Sequence, residues 1–337
     1  MQERKEFFVL GFDIGGTKIA VCLADCRGRI IDSARSEGGT QIDYSKALRQ
    51  MTDTGDHLLN KAGLSSEDLQ SVGISAPGPM DMRAGVLRKS PNMVWRDVPI
   101  RDDLAKHYRV PAILDNDANA GMLAEWFFGK ARGCTDAIYL TMSTGIGGGV
   151  IVNGTLLQGT AGIGAEPGHM VLDLDGPVCG CGQRGCFEAF CGGRSISRRM
   201  QEILADQPDH PIMRMEQVKG DYRKLNYQIL RLAVAEGIPA AREMWDEVCL
   251  RTAQALGALM MIFNPQMIIM GTLAYYSGDM LMNPVEKYLP RFAWPQLREA
   301  CSLTTPKLGS QIGELAAVAP AFYHFYRQGA WQPPKEG

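Results

Sequence analysis

Phe12-Asp13-Ile14-Gly15-Gly16-Thr17-Lys18 is the stretch on which the fold turns. The apolar run Phe7–Phe12 leads into it and a second, Ile19–Ala24, leaves it. Runs of this length broken by glycine read as strands joined by a tight turn. A third short run, Ile30–Ser36, extends the group. The period then changes: Ala47, Met51, Leu58 and Ala62 share a helical face over residues 43–62, with a stop at Gly63. Ser71–Ala76 reads as a strand ending in Pro77-Gly78-Pro79, and 101–109 as a helix. Pro111–Leu114 reads as a strand that runs into Asp115-Asn116-Asp117. Residues 118–130 read as a helix closed by Gly129.

The same order then begins again. Ala137–Met142 is apolar, Ser143-Thr144-Gly145-Ile146-Gly147-Gly148-Gly149 is a second glycine-rich turn, and Val150–Val152 runs into Asn153-Gly154, a hairpin signal. Helices are predicted at 188–206, 224–236, 239–263, 278–290 and 311–328, with strands at Met267–Met270 and Cys301–Thr304. Both halves therefore follow β-β-β-α-β-α-β-α. This internal duplication predicts an α/β protein of two lobes, with a hinge near 118 and a ligand cleft between the lobes.

Composition narrows the function. The 337 residues suit about two domains. Thirty-five Lys and Arg against 37 Asp and Glu leave a charge of −2, which argues against a nucleic-acid or acidic-membrane binder. No apolar run approaches a bilayer span, and Met1-Gln-Glu-Arg-Lys-Glu carries no secretory pattern, so a cytoplasmic protein is expected. Nine cysteines in a reducing compartment are not a disulfide framework.

Consecutive glycines let a backbone come close to an anion and expose its N–H groups. Asp13, Gly15, Gly16, Thr17 and Lys18 form one candidate phosphate turn; Thr144, Gly145, Gly147 and Gly148 form the other. Each alone could be a tight hairpin, but their equivalent positions in a duplication favour phosphate binding. A Walker A loop does not fit, because Thr17 precedes Lys18 and a strand follows. Gly180, Gly182 and Gly185 have Rossmann spacing but are interleaved with cysteine and follow no strand.

That interleaved segment, Cys179-Gly-Cys181-Gly-Gln-Arg-Gly-Cys186, carries three thiols on one loop, with His169 just upstream in Glu166-Pro-Gly-His169. Cys₃His is the donor set of a closed tetrahedral zinc site, so a structural Zn²⁺ is expected, with Cys191 as a stand-in ligand. Asp117 stands after a strand at the predicted hinge. It could accept a hydroxyl proton as general base, or one of Asp115, Asn116 and Asp117 could cap the helix that follows. Glu166 and Glu188 bracket the metal loop as candidate sugar-hydroxyl ligands or as solvated charges.

These segments resemble the ROK family of sugar kinases, within the actin-like ATPase superfamily. The likeness runs from Phe12–Lys18 to Asn264–Gly271 and on to Ile312-Gly-Glu-Leu-Ala-Ala-Val318. Glu166–His169 and Cys179–Glu188 are its most specific parts. Asn92–Pro99, Leu114–Ala120 and Thr141–Gly149 resemble the family's glucokinases most closely. The resemblance implies a duplicated actin-like (ribonuclease-H-like) fold, with a small lobe of residues 1–117 and 319–337 and a large lobe of 118–318 carrying the zinc loop. It implies Asp117 as catalytic base and Gly78, Asn92, Asn116, Glu166, His169 and Glu188 as sugar ligands, with His169 serving zinc as well. It places Gly271 at the nucleoside site, where Thr272 stands in place of the family's usual second glycine. ATP with Mg²⁺, a hexose substrate (glucose first, with N-acetylmannosamine, fructose or allose as alternatives) and a homodimer are the implied partners. A catalytically silent sugar sensor is the alternative from another class. The family's repressors carry an N-terminal helix-turn-helix, for which a first strand beginning by Phe7 leaves no room.

Overall fold

The computed structural model describes residues 7–89 and 93–334. The chain divides into two compact units. The first takes the chain up to Gly133, Leu156–Gly164 and the chain from Lys307; the second takes Cys134–Thr155 and Ala165–Pro306.

The first unit contains strands β1 (Phe8–Ile14), β2 (Lys18–Asp25), β3 (Ile30–Glu37), β4 (Leu69–Ala76), a small hairpin of β5 (Met80–Asp81) and β6 (Val86–Leu87), and β7 (Ala112–Asn116). Its five-stranded sheet has the order β3-β2-β1-β4-β7. The first three strands are antiparallel neighbours, and β1, β4 and β7 run parallel. The second sheet uses β8 (Ala137–Met142), β9 (Ile146–Val152), β10 (Thr155–Leu156), β11 (Met267–Met270) and β12 (Ser302–Thr304) in the order β10-β9-β8-β11-β12. Each sheet thus orders its strands third, second, first, fourth, fifth, and the predicted duplication is present. Asn153 and Gly154 both take positive φ, 48° and 68°, as a two-residue type I′ hairpin turn requires.

In the first sheet the pleat separates two layers. Leu10, Phe12 and Ile14 join a core with Met51 and Leu58 of the helix Tyr44–Lys61 and Leu104 of the helix Ile100–Tyr108. Gly11 and Gly73, cross-strand partners, face the closing helix Ile312–Arg327. A Cβ on Gly11 would lie 2.7 Å from Val318 Cγ1, and one on Gly73 2.2 Å from the Ala317 carbonyl oxygen. Glycine here gives the helix backbone direct access to the sheet.

The units part after Gly133 and at Lys307, and not at 118 and 319. The helix Asp117–Phe128 belongs to the first unit because its aromatic end packs on the closing helix. Phe128 meets Phe322 at 5.6 Å and Phe127 meets Tyr326 at 5.8 Å between ring centroids. The hinge predicted near 118 therefore falls inside this unit. Glu125 fixes the arrangement: fully buried, its carboxylate accepts the N–H groups of Lys130 (2.7 Å), Lys307 (3.4 Å) and Leu308 (3.2 Å). Glu125→Ala strands those donors, and the expected loss is about 3 kcal/mol of stability. Urea unfolding followed by circular dichroism checks it; an unchanged midpoint would contradict this role.

Candidate active site and metal centre

The parallel strands of the first unit bring their carboxyl ends together, the edge of an open α/β sheet where ligands bind. Asp13 lies opposite Ser75, and Ser75 opposite Asp115. Ser75 Oγ donates to Asp13 Oδ1 at 3.2 Å. Of the three polar residues after β7, Asn116 is the helix cap: its Oδ1 accepts the Ala118 N–H at 2.9 Å. Asp115 is buried and held by the Asn116 N–H, Asn119 Nδ2 and Gln158 Nε2 at 2.8, 2.8 and 3.2 Å. Asp117, the first helical residue, is left with its carboxylate open to solvent. Partial loss of hydration beside the protein nevertheless raises its pKa from the ordinary carboxylate value.

Asp13 is pushed up to about 6, first by burial and then, against the Ser75 hydrogen bond, by the negative charges of Asp117 and Glu314. The sequence reading missed Glu314. It lies in the first turn of the closing helix, nine-tenths buried. Its Oε1 accepts from Arg35 Nη2 at 2.7 Å, and its buried Oε2 has no hydrogen-bond partner among the described residues. A signal was available: Glu314 is the only charged residue in the apolar stretch Ile312–Phe322. Asp13, with the charges of Asp117 and Glu314 acting on it and an unpartnered oxygen on Glu314, forms an oxygen-rich environment suited to a hard divalent cation.

The first glycine turn is tighter than expected. Gly15 donates its N–H to the Lys18 carbonyl at 2.9 Å and accepts from Thr40 at 3.1 Å, so that amide is spent on the turn. Neither Gly15 nor Gly16 takes a left-handed φ. Gly16, Thr17 and Lys18 are exposed, and a Cβ on Gly16 would meet nothing within 4 Å. The open part of the turn is thus Gly16 to Lys18, with Lys18 Nζ 3.5 Å from Glu37.

In the second unit the turn is only Ser143–Gly145. Gly147 and Gly148 belong to β9, opposite Thr141 and Leu140. Gly148 is buried, and a Cβ there would lie 2.4 Å from Pro167 Cγ, while one on Gly168 would lie 2.0 Å from the Ile146 carbonyl. These glycines let Glu166-Pro-Gly-His169 lie flat on β9. Gly148 therefore has a packing role of its own, beside Thr144, Gly145 and Gly147 in the candidate phosphate segment. Gly271, at the end of β11, donates to Leu140 O at 2.8 Å, and a Cβ would meet Tyr139 Oη at 2.7 Å. Thr272 follows at φ 34°, strained for a β-branched residue.

His169, Cys179, Cys181 and Cys186 converge, with one ligand atom from each lying within 4.8 Å of all the others. Cys179 Sγ is 3.7 Å from His169 Nδ1, and Cys181 Sγ is 3.8 Å from Cys186 Sγ. Ligand atoms of a tetrahedral zinc ion stand about 3.5–3.8 Å apart, so this donor set fits the metal. Gly185, at φ 66°, makes the loop possible, since a Cβ would fall 1.5 Å from the Asp173 carbonyl. The Gln183 N–H holds the Cys181 thiol below its ordinary pKa; burial pushes Cys186 up to about 12. A bound cation would replace those protons. Cys191 is not a ligand: its buried thiol donates to Val248 O at 3.4 Å on the helix Pro239–Phe263.

Among the candidate sugar residues, Gly78 approaches Asn116, whose Nδ2 would lie 3.8 Å from a Cβ there. Asn92 lies outside the described residues. Glu188 follows the last cysteine and points its carboxylate at the second turn, accepting the Ile146 N–H at 2.8 Å.

The chain is similar to known proteins over nearly its whole length. The ROK family model matches residues 9–321. A glucokinase of Thermotoga maritima is 32% identical over 312 residues, 92% of this chain and 96% of its own length. A xylose repressor of Bacillus subtilis is 28% identical over 96% of this chain and 79% of its own. The ROK hexokinase of Thermus thermophilus superposes with a TM-score of 0.82 at 30% identity, covering 95% of this chain and 100% of that one. A ROK family glucokinase from Streptomyces griseus, solved with glucose and AMPPNP, gives 0.73 at 28% identity, covering 92% and 97%.

Proposed function

The chain belongs to the ROK family, and on that premise we propose that it transfers the γ-phosphoryl group of ATP to a hexose, glucose at its C6 hydroxyl being the first choice. The observation that carries this reading is Asp117, solvent-reached and relieved of capping by Asn116. A silent sensor would have no use for a carboxylate so placed, beside a second one pushed up to about 6.

In this reading Asp117 accepts the hydroxyl proton as the sugar oxygen attacks phosphorus. Asn116, Glu166, His169 and Glu188 orient the sugar, with Gly78 leaving it room. Gly16 to Lys18 and Thr144 with Gly145 hold the phosphates, and Gly271 lies under the nucleoside. Mg²⁺ carried with ATP would sit near Asp13 and Glu314 and offset phosphate charge. The protein's contribution is positioning and electrostatics. Zinc would stay outside the chemistry, fixing the loop that presents His169 and Glu188.

A coupled assay with Mg-ATP across glucose, mannose, fructose, allose, N-acetylglucosamine and N-acetylmannosamine tests the proposal. Turnover on glucose well above the others is expected; preference for another hexose would move the substrate assignment, and none at all would favour the sensor. Cys181→Ser is expected to lose bound zinc and sugar affinity together, read by metal analysis and calorimetry. A zinc-free variant with unchanged sugar binding would contradict the role given to the metal.

A further inference from the structure

We propose that Glu188 is a positioning residue that couples the metal loop to the donor-phosphate turn, so that metal occupancy and donor affinity are linked. The inference rests on the kinase reading for what the turn binds, while the link itself rests on geometry within the second unit.

A single residue, Phe187, separates Glu188 from the cysteine ligand Cys186. One carboxylate oxygen, Oε1, is 3.8 Å from Cys179 Sγ. The other, Oε2, accepts the Ile146 N–H at 2.8 Å. A Cβ on Gly145 would stand 2.4 Å from that same oxygen, so glycine is what lets the carboxylate reach the turn. The segment after Glu188 completes the clamp: Gly193 N–H donates to Ser143 O and Arg194 N–H to Thr144 O, both at 2.9 Å. Gly193 is itself closely fitted, a Cβ there falling 2.6 Å from Ser143 O. Ser143, Thr144 and Ile146 are thus all held by residues 188–194, the segment that emerges from the metal loop. A loop that loses its metal relaxes first at its ligands, and the next group along is the carboxylate that fixes Ile146. Linkage makes the effect reciprocal: the factor by which metal raises donor affinity is the factor by which donor raises metal affinity.

The test uses the full-length protein, zinc-loaded or stripped with dipicolinate and dialysed, without sugar. Hydrogen exchange of peptides covering 143–146 and 193–194 is the first readout, and AMPPNP-Mg²⁺ affinity by calorimetry the second. Stripping zinc from wild type is expected to speed exchange at the turn and to weaken the nucleotide by about 5–50-fold. Glu188→Ala should exchange fast in both states and show little further effect of zinc. Glu188→Gln, which retains an oxygen for the Ile146 N–H, should recover part of the protection. Unchanged exchange at 143–146 on stripping overturns the proposal, as does a folded protein that takes up no zinc. Zinc-dependent protection with no nucleotide binding in any state would preserve the link and sink the kinase reading instead.

Discussion

Asp117→Ala is expected to lower kcat by about 10²- to 10⁴-fold, the range general-base catalysis supplies, while the fold and most of the sugar affinity survive. The survival follows from local structure. Asn116 caps the helix and Asp115 is anchored by three donors, so neither depends on the Asp117 carboxylate. Removing that carboxylate also removes one of the charges that press on Asp13, so the variant should be no less stable than wild type. Asp117→Asn sharpens the test, because it keeps the shape and loses the base. Steady-state kinetics beside calorimetric sugar titration decide it: near-normal kcat in either variant would reject the assignment.

Asp13→Asn is expected to separate stability from activity. Its pKa of about 6 in the folded protein lies above the ordinary 3.8. Between those values the native state binds more protons than the unfolded chain, so Asp13 makes stability fall as pH rises from about 4 to about 6. Above that window the whole penalty is present. In metal-free protein the Asn variant should therefore melt near wild type at pH 4 and above it at pH 7, by about 1–3 kcal/mol. Phosphoryl transfer should meanwhile fall about 10²-fold or more with loss of the charge that meets the cation. A variant less stable than wild type at pH 7 would show that Asp13 is held by favourable contacts instead.

Much of this was legible in the chain because local signals carried it. The strand runs, the helices at 43–62 and 239–263 and the Asn153-Gly154 turn matched the structure closely. So did the Cys₃His cluster, where three thiols fall within eight residues. What the residues did not disclose depends on contacts distant in sequence. That Gly148 also serves close packing was not legible, because a glycine needed for packing looks the same as one needed for an anion and its neighbour Pro167 lies on another element. The helix Asp117–Phe128 was placed with the wrong lobe because its partner, the closing helix, lies almost 200 residues on. Glu314 reaches Asp13 through the same return of the chain. Asp117 remained open between capping and catalysis until the Asn116 side chain settled the cap.

The most direct test of the central claim follows the phosphorus. Zinc-loaded protein, with metal content measured, is mixed with γ-labelled ATP, Mg²⁺ and glucose, and the products are separated. The account predicts label on the sugar in wild type, and almost none in Asp117→Asn under the same conditions. Label released as inorganic phosphate at the same rate with or without sugar, or equal transfer by the Asn variant, would contradict it.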